Sequence, residues 1–203
     1  MNKAASVALG IAVALAAFIA VKTLKQEALS REPTAAEMTK KLDDLKAQAE
    51  REHPDMAKSD AFKQLASDQS AKKLASQTPD QQANTAADMF WGFYYMNTKA
   101  RTRYCAQRGV DLSPFVSAFT KEHSELFSKA SAVYARAGIN TEKYLPVLME
   151  TLANTVEQDM KDVTTGAQVP LDQACSLFND NAEGFAEYIQ LPPHLKRALL
   201  SYE

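Results

Sequence analysis

The chain has 203 residues, of which 46% are hydrophobic and 24% are charged, and its formal net charge at pH 7 is −2. A chain of this length is long enough to form one domain with a hydrophobic core and an additional linker. A net charge so close to zero excludes the strongly basic surface that nucleic-acid binding requires, so we predict no nucleic-acid partner. We interpret the one basic cluster as a solvated helix face, and its members are Lys99, Arg101, Arg103 and Arg108.

An unbroken apolar run occupies residues 4–21, with lysines on both sides of it. At about 1.5 Å per helical residue, the run nearly spans a hydrocarbon core of about 30 Å. It is therefore either a cleaved export signal or a single membrane anchor. The residues that follow its one good Ala-x-Ala site, Ala14 to Ala16, are still apolar, which favours an uncleaved segment. We predict that residues 1–24 are a signal-anchor or signal peptide that places residues 4–21 in a membrane.

Two features of the sequence oppose each other on the orientation of this segment. Lys22, Lys25 and Arg31 follow the run, and the positive-inside rule would keep the body in the cytoplasm. An apolar segment directly after a very short basic start is instead the usual arrangement for export. The cysteine content also fits export. We therefore predict a bacterial inner-membrane protein with its body in the periplasm, and the alternative is a secreted or soluble periplasmic protein after cleavage.

Only two cysteines occur, Cys105 and Cys175. In an exported chain, a small and even number of cysteines predicts one disulfide. The alternative is a pair of small buried hydrophobic residues that never meet. The sequence contains no Cys-x-x-Cys pair and no histidines at metal-ligand spacing, so we predict neither a metal nor a cofactor.

Residues 25–77 are rich in Lys, Asp, Glu, Gln and Ala, and Phe62 is their only aromatic residue. Residues 34–37 (Thr-Ala-Ala-Glu) have the pattern of a capping box, which predicts a helix that runs to about Glu52. A second helix that carries Phe62 follows it. The apolar stripes are narrow, so we predict a polar helical stalk or a loosely packed pair of helices.

Residues 78–203 have the pattern of an antiparallel bundle of about four helices, followed by a short C-terminal helix. Helix starts are marked at Thr78-Pro79, Ser113-Pro114, Asn140 or Thr141, and Pro170. We expect the first, second and fourth helices to continue to about Gln107, Gly138 and Ile189. No segment alternates with period two, so the predicted fold class is all-α. In such a bundle, Cys105 and Cys175 lie at the same end.

The densest apolar feature is the segment 89–96, whose large side chains surround a helix on every side. Phe90 and Phe93 continue the inward stripe. The other aromatic residues of this segment are surplus to the stripe and must pack on the stalk helices, on a partner or on a ligand. Central burial of the helix within the bundle is the alternative. The predicted partner- or ligand-binding residues are Phe90, Trp91, Phe93, Tyr94, Tyr95 and His123.

His123 lies between Phe119 and Leu126 on an apolar helix stripe, where a buried, hydrogen-bonded histidine is the favoured interpretation. The one Glu-x-x-His pattern of a di-iron bundle, at Glu50 and His53, falls in the stalk, and the chain has no phosphate loop or nucleophile elbow. We therefore predict a non-enzymatic interaction or assembly factor of the cell envelope, with another envelope protein as partner. The alternatives are a carrier of a small apolar ligand or lipid, and an enzyme that uses His123.

Overall fold

The computed structural model describes residues 35–56, 58–141 and 145–202, and these residues form helices without any β-strand. The all-α prediction is therefore confirmed. No helix within these ranges is both long and apolar enough to cross a membrane. The predicted anchor at residues 4–21 lies outside the described residues. In chain order the α-helices are α1 (Ala35–Glu52), α2 (Lys58–Ala75), α3 (Pro79–Tyr95), α4 (Arg101–Ala106), α5 (Ser113–Glu122), α6 (Ser124–Arg136), α7 (Leu145–Ala167), α8 (Leu171–Asp180), α9 (Ala182–Tyr188) and α10 (Pro193–Leu200).

The first body helix is one long rod that contains a π-helical turn. Its N-terminus carries the predicted cap, because the Thr78 hydroxyl accepts from the Gln81 N–H and the Gln81 side chain accepts from the Thr78 N–H. Helix α3 then continues through a π-helical turn, Met96–Ala100, directly into α4. The sequence predicts the rod, but nothing in its apolar spacing predicts the wider turn.

Two helices that the sequence predicts as continuous are broken, so the prediction is wrong at both places. His123 leaves helical geometry, with φ −99° and ψ 16°, and separates α5 from α6. Asn181, with φ −140° and ψ 58°, separates α8 from α9. At the second break the side chain of Asn181 lies against Gly184, in the space that a Cβ at that position would occupy. A residue with any side chain would therefore push the Asn181 side chain away.

Buried apolar side chains from α1 through α10 belong to one core cluster. Helix α3 packs against α6 and α10, α5 packs against α9, and α7 packs against α8 and the π turn. Helices α1 and α2 form a hairpin that also contacts this body, since α1 packs on α7 and α2 on α3 and α10. Leu65 and Leu74 of α2 are buried in the common core. The described part of residues 25–77 thus lies against the bundle.

Cys105 of α4 and Cys175 of α8 form a disulfide, as the sequence predicts. Their Cα atoms are 5.7 Å apart, within the usual range, and both side chains are fully buried. The bond joins residues separated by 70 positions and holds α4 against α8.

Candidate functional site

The aromatic residues predicted as a binding site lie mainly in the core. Phe90 and Phe93 have no exposed surface, and only 6% of Trp91 and 5% of Tyr95 is exposed. Helix α6 covers the surplus rings, since the Trp91 ring centroid lies 5.2 Å from that of Phe127. The structure therefore places these side chains inside the bundle, the alternative that the sequence left open.

A small part of this aromatic cluster does reach the surface. Tyr94 is half-buried, and Phe127, which the sequence analysis did not single out as a site, is 37% exposed. Their ring centroids are 5.1 Å apart, and the Tyr94 hydroxyl is 3.3 Å from the Thr120 hydroxyl oxygen. Two adjacent rings at a helix boundary are a normal surface feature and do not by themselves define a site.

His123 lies at the break between α5 and α6, and its ring is buried in the core. Only 1% of it is exposed, and its Nε2 donates a hydrogen bond to the Ile189 carbonyl oxygen at 3.0 Å. Burial lowers the pKa of His123 to about 4, so the imidazole is neutral at pH 7. Its ring centroid lies 4.3 Å from that of Phe119 and 5.1 Å from that of Phe93. These rings fill the space between them, and the imidazole cannot reach a substrate.

Ser70 and His194 form a second contact that resembles a catalytic dyad. The distance from Ser70 Oγ to His194 Nε2 is 2.7 Å, and the same hydroxyl donates to the Ser67 carbonyl oxygen at 2.8 Å. Ser70 Oγ must therefore accept from the imidazole and cannot give it a proton. Ser70 is also fully buried, so its hydroxyl is not accessible as a nucleophile. The hydrogen bond between the two residues instead connects α10 to α2. The two residues are 124 positions apart, and sequence patterns carry no signal for their contact.

The π turn places a charged network between α4 and α7. Arg101 Nη1 donates to Asp159 Oδ2 at 2.5 Å, and Arg101 Nη2 donates to Asn97 Oδ1 at 3.2 Å. The guanidinium carbon lies 4.5 Å from the Phe178 ring centroid. Arg101 and Asp159 are both fully buried, so the interpretation of Arg101 as part of a solvated face is wrong. One feature of the sequence indicates a buried charge here, because Asp159 lies between Val156 and Val163 on the apolar stripe of α7.

Beside this network, an open groove of about 530 Å³ runs between α4 and α7. Its floor is apolar, and the residues that form it are Ala100, Tyr104, Met149, Ala153 and Val156. Arg103 and Arg108 stand on the α4 side, whereas Glu150 and Glu157 stand on the α7 side. The groove thus combines an apolar floor with walls of opposite charge.

The two arginines on the α4 wall of the groove differ in their contacts. Arg103 is exposed, and within the described ranges its side chain forms no ion pair. Lys99, four positions earlier in the π turn, is exposed but is not among the residues that line the groove. Arg108 is held in place, because its guanidinium carbon lies 3.6 Å from the Tyr104 ring centroid and its Nη1 donates to the Tyr104 carbonyl. On the α7 wall, the hydrogen bond from Lys161 at 2.9 Å and its charge lower the pKa of Glu157, and the charge of Arg108 lowers it further.

Tyr104 leaves an unsatisfied polar atom next to the groove. The residue is 8% exposed and lines the floor, and its hydroxyl has no hydrogen-bond partner in the part of the chain that the structure describes. Burial raises the pKa of this hydroxyl above its usual range, so it stays protonated. An unpaired buried hydroxyl is uncommon in folded proteins.

No family model matches the chain, and no curated protein or solved structure is significantly similar to it. Among the described residues, no group of three or more His, Cys, Asp or Glu side chains could hold a metal ion. The groove between α4 and α7 therefore has to be judged on its own geometry.

Proposed function

We propose that this protein is a non-enzymatic binding domain of the cell envelope, and that the groove between α4 and α7 receives a segment of another envelope protein. The observation that carries this proposal is an open groove that combines an apolar floor with exposed charged side chains of both signs on its walls. Such a surface offers both apolar burial and charge complementarity to a partner.

An enzymatic function has less support from the same geometry. The imidazole of His123 is enclosed by aromatic rings, and that of His194 hydrogen-bonds a buried serine. A general acid or base must come within hydrogen-bond distance of a substrate, and the buried ring of His123 does not. His194 is half-buried beside an open groove, but the serine that it contacts is buried and donates its proton to a backbone carbonyl.

The proposed location is the outer side of a bacterial inner membrane. The buried disulfide between Cys105 and Cys175 supports an oxidising compartment such as the periplasm. The apolar run at residues 4–21 supports membrane attachment. Residues 22–34 separate that run from α1, and such a connection extends at most about 47 Å. Attachment through this connection would keep the body near the membrane and its other anchored proteins.

Site-specific photo-crosslinking tests this function. A photoreactive amino acid is placed in the full-length chain at Ala153 or at Gln107, both of which are exposed and line the groove. Ala71, which is exposed on α2 away from the groove, provides the control position. We expect irradiation of intact cells to give the same discrete adduct from both groove positions and none from Ala71. Adducts of equal yield at all three positions, or at none of them, would contradict the proposal.

A further inference from the structure

The charged residues that line the groove between α4 and α7 are separated by sign. Arg103 and Arg108 stand on the α4 wall, and Glu150 and Glu157 stand on the α7 wall. Because the two signs are equal in number, the groove as a whole favours neither an acidic nor a basic molecule. It favours an occupant with the reverse arrangement, which is acidic where it meets α4 and basic where it meets α7.

The same face of a second copy of the chain has this reverse arrangement. A two-fold axis that runs along the groove exchanges its two sides, so the α4 wall of each copy faces the α7 wall of the other. Each basic wall then meets an acidic wall, and the contact occurs twice. A two-fold axis across the groove would instead bring α4 against α4, with like charges opposite each other.

We infer that the occupant of the groove is a second copy of this chain, in a two-fold symmetric dimer in which Arg103 of each copy pairs with Glu150 of the other. This inference rests on the proposed binding function and names its partner. The segment that each groove receives is the α4–α7 face of the other copy.

Arg103 and Glu150 are the two charges of the groove that are left for contacts between copies. Both are exposed, and within the described parts of the chain neither forms an ion pair. Glu157 is instead bonded to Lys161 and also interacts with Arg108, so these charges are compensated inside one copy. Exposed lysines elsewhere lack ion pairs too, but none of them lines this groove opposite an unpaired acid.

The floor of the groove supplies the apolar part of the contact. Ala100 and Ala153 are short, so a second copy can come close to both helices, and Met149 and Val156 add apolar surface between the walls. Exposed ion pairs contribute little to affinity. Burial of this floor therefore provides most of the binding free energy, and the charges fix the orientation of the two copies.

Crosslinking between two tagged forms of the full-length chain tests the inference. The two forms carry different epitope tags, both have a photoreactive amino acid at Ala153, and they are expressed together. We expect irradiation of intact cells to give an adduct of about twice the 22.3 kDa of one chain that carries both tags. The same amino acid at Ala71, which is exposed on α2, should give no such adduct.

Charge reversal then tests the pairing of the two residues. We expect Arg103→Glu alone and Glu150→Arg alone each to lower the yield of the dimer adduct about tenfold, because like charges face each other twice. When one tagged form carries Arg103→Glu and the other carries Glu150→Arg, the yield should recover, because every reversed charge then faces its opposite. Variants that fail to fold could not recover in this way. Lys72→Glu, a reversal on exposed α2, should leave the yield unchanged.

The outcomes separate this inference from the function on which it rests. If Ala153 and Gln107 give a common adduct with a different protein, the binding function stands and the second copy is wrong. If neither position gives an adduct, the binding function itself fails. A dimer adduct whose yield does not recover when the two reversed forms are combined would overturn the two-fold arrangement about the groove.

Discussion

Arg101 and Asp159 form an ion pair in which neither side chain has any exposed surface, although the two residues are 58 positions apart. The pair joins the start of α4 to α7, the two helices whose exposed faces form the groove. It is incompletely satisfied, because Arg101 Nε and Asp159 Oδ1 have no hydrogen-bond partner within the described residues. Burial raises the pKa of the Asp159 carboxyl, and the charge of Arg101 opposes that shift.

Removing one member of this pair should cost more stability than removing both. Asp159→Ala leaves the Arg101 guanidinium buried without a counter-charge, and we expect it to lower the free energy of unfolding by about 3–5 kcal/mol. The double variant Arg101→Met/Asp159→Leu replaces the pair with apolar side chains of similar size and should lie within about 1 kcal/mol of the wild type or above it. Urea unfolding measures both. A double variant as unstable as the single one would show that the pair itself stabilises the fold.

The helical content of this chain is readable from its sequence, because apolar spacing, proline positions and the Thr78 cap are local signals. The break at His123 is not local, because it accompanies a hydrogen bond to the Ile189 carbonyl, 66 positions away. Tertiary packing there overrides a helical pattern that looks continuous in one dimension. The break at Asn181 has a local neighbour instead, since the side chain of Asn181 lies against Gly184, three positions later.

Alanine substitution separates the buried aromatic residues from the exposed one. Trp91 packs against rings of both α3 and α6, so Trp91→Ala should destabilise the protein by about 3–5 kcal/mol. Phe127 is 37% exposed, so Phe127→Ala should cost distinctly less. Thermal or urea unfolding compares the two. A fully stable Trp91→Ala protein that no longer captures its partner would instead make the aromatic cluster the interaction surface.

The groove could not be found from the sequence, since its walls come from residues about 45 positions apart whose pairing depends on how α4 lies on α7. Only the basic residues of the groove form a recognisable pattern in the sequence. Arg103 and Arg108 belong to a basic cluster in the sequence, but the same cluster contains Lys99, which is not among the residues that line the groove, and Arg101, which is buried. The π turn at Met96–Ala100 changes which side chains face inward, and periodicity at 3.6 residues per turn does not reproduce it.

The disulfide should contribute strongly to stability because it closes a long loop. For a separation of 70 residues, the chain-entropy estimate is about 4 kcal/mol. We therefore expect Cys105→Ala/Cys175→Ala to lower the free energy of unfolding by about 2–5 kcal/mol. Added reductant should destabilise the wild type by a similar amount and leave the double variant unchanged. A wild-type protein that alkylates at two cysteines after unfolding without reductant would disprove the bond.

Stability should fall when the pH drops below about 6.5, because His123 is buried in its neutral form. The pKa of its imidazole is about 4 in the folded protein and near its ordinary value of 6.5 in the unfolded chain. Between these two values the unfolded chain binds a proton that the folded protein does not, which shifts the equilibrium toward unfolding as the pH falls. Full stability is present above pH 6.5, and the loss at pH 5 should reach about 2 kcal/mol.

The variant His123→Gln isolates this effect, because an amide can still donate to the Ile189 carbonyl but does not titrate in this range. We expect urea unfolding between pH 7.5 and pH 5 to show a clearly smaller slope in His123→Gln than in the wild type. Burial also lowers the pKa of His194, so His194 adds a slope of the same sign, and adding His194→Gln should reduce the slope further. The raised pKa values of Asp159 and Asp162 contribute in the opposite direction in every variant. An unchanged slope in His123→Gln would mean that the imidazole of His123 is accessible to solvent protons in the folded protein, and the enclosed position between Phe93 and Phe119 would have to be abandoned.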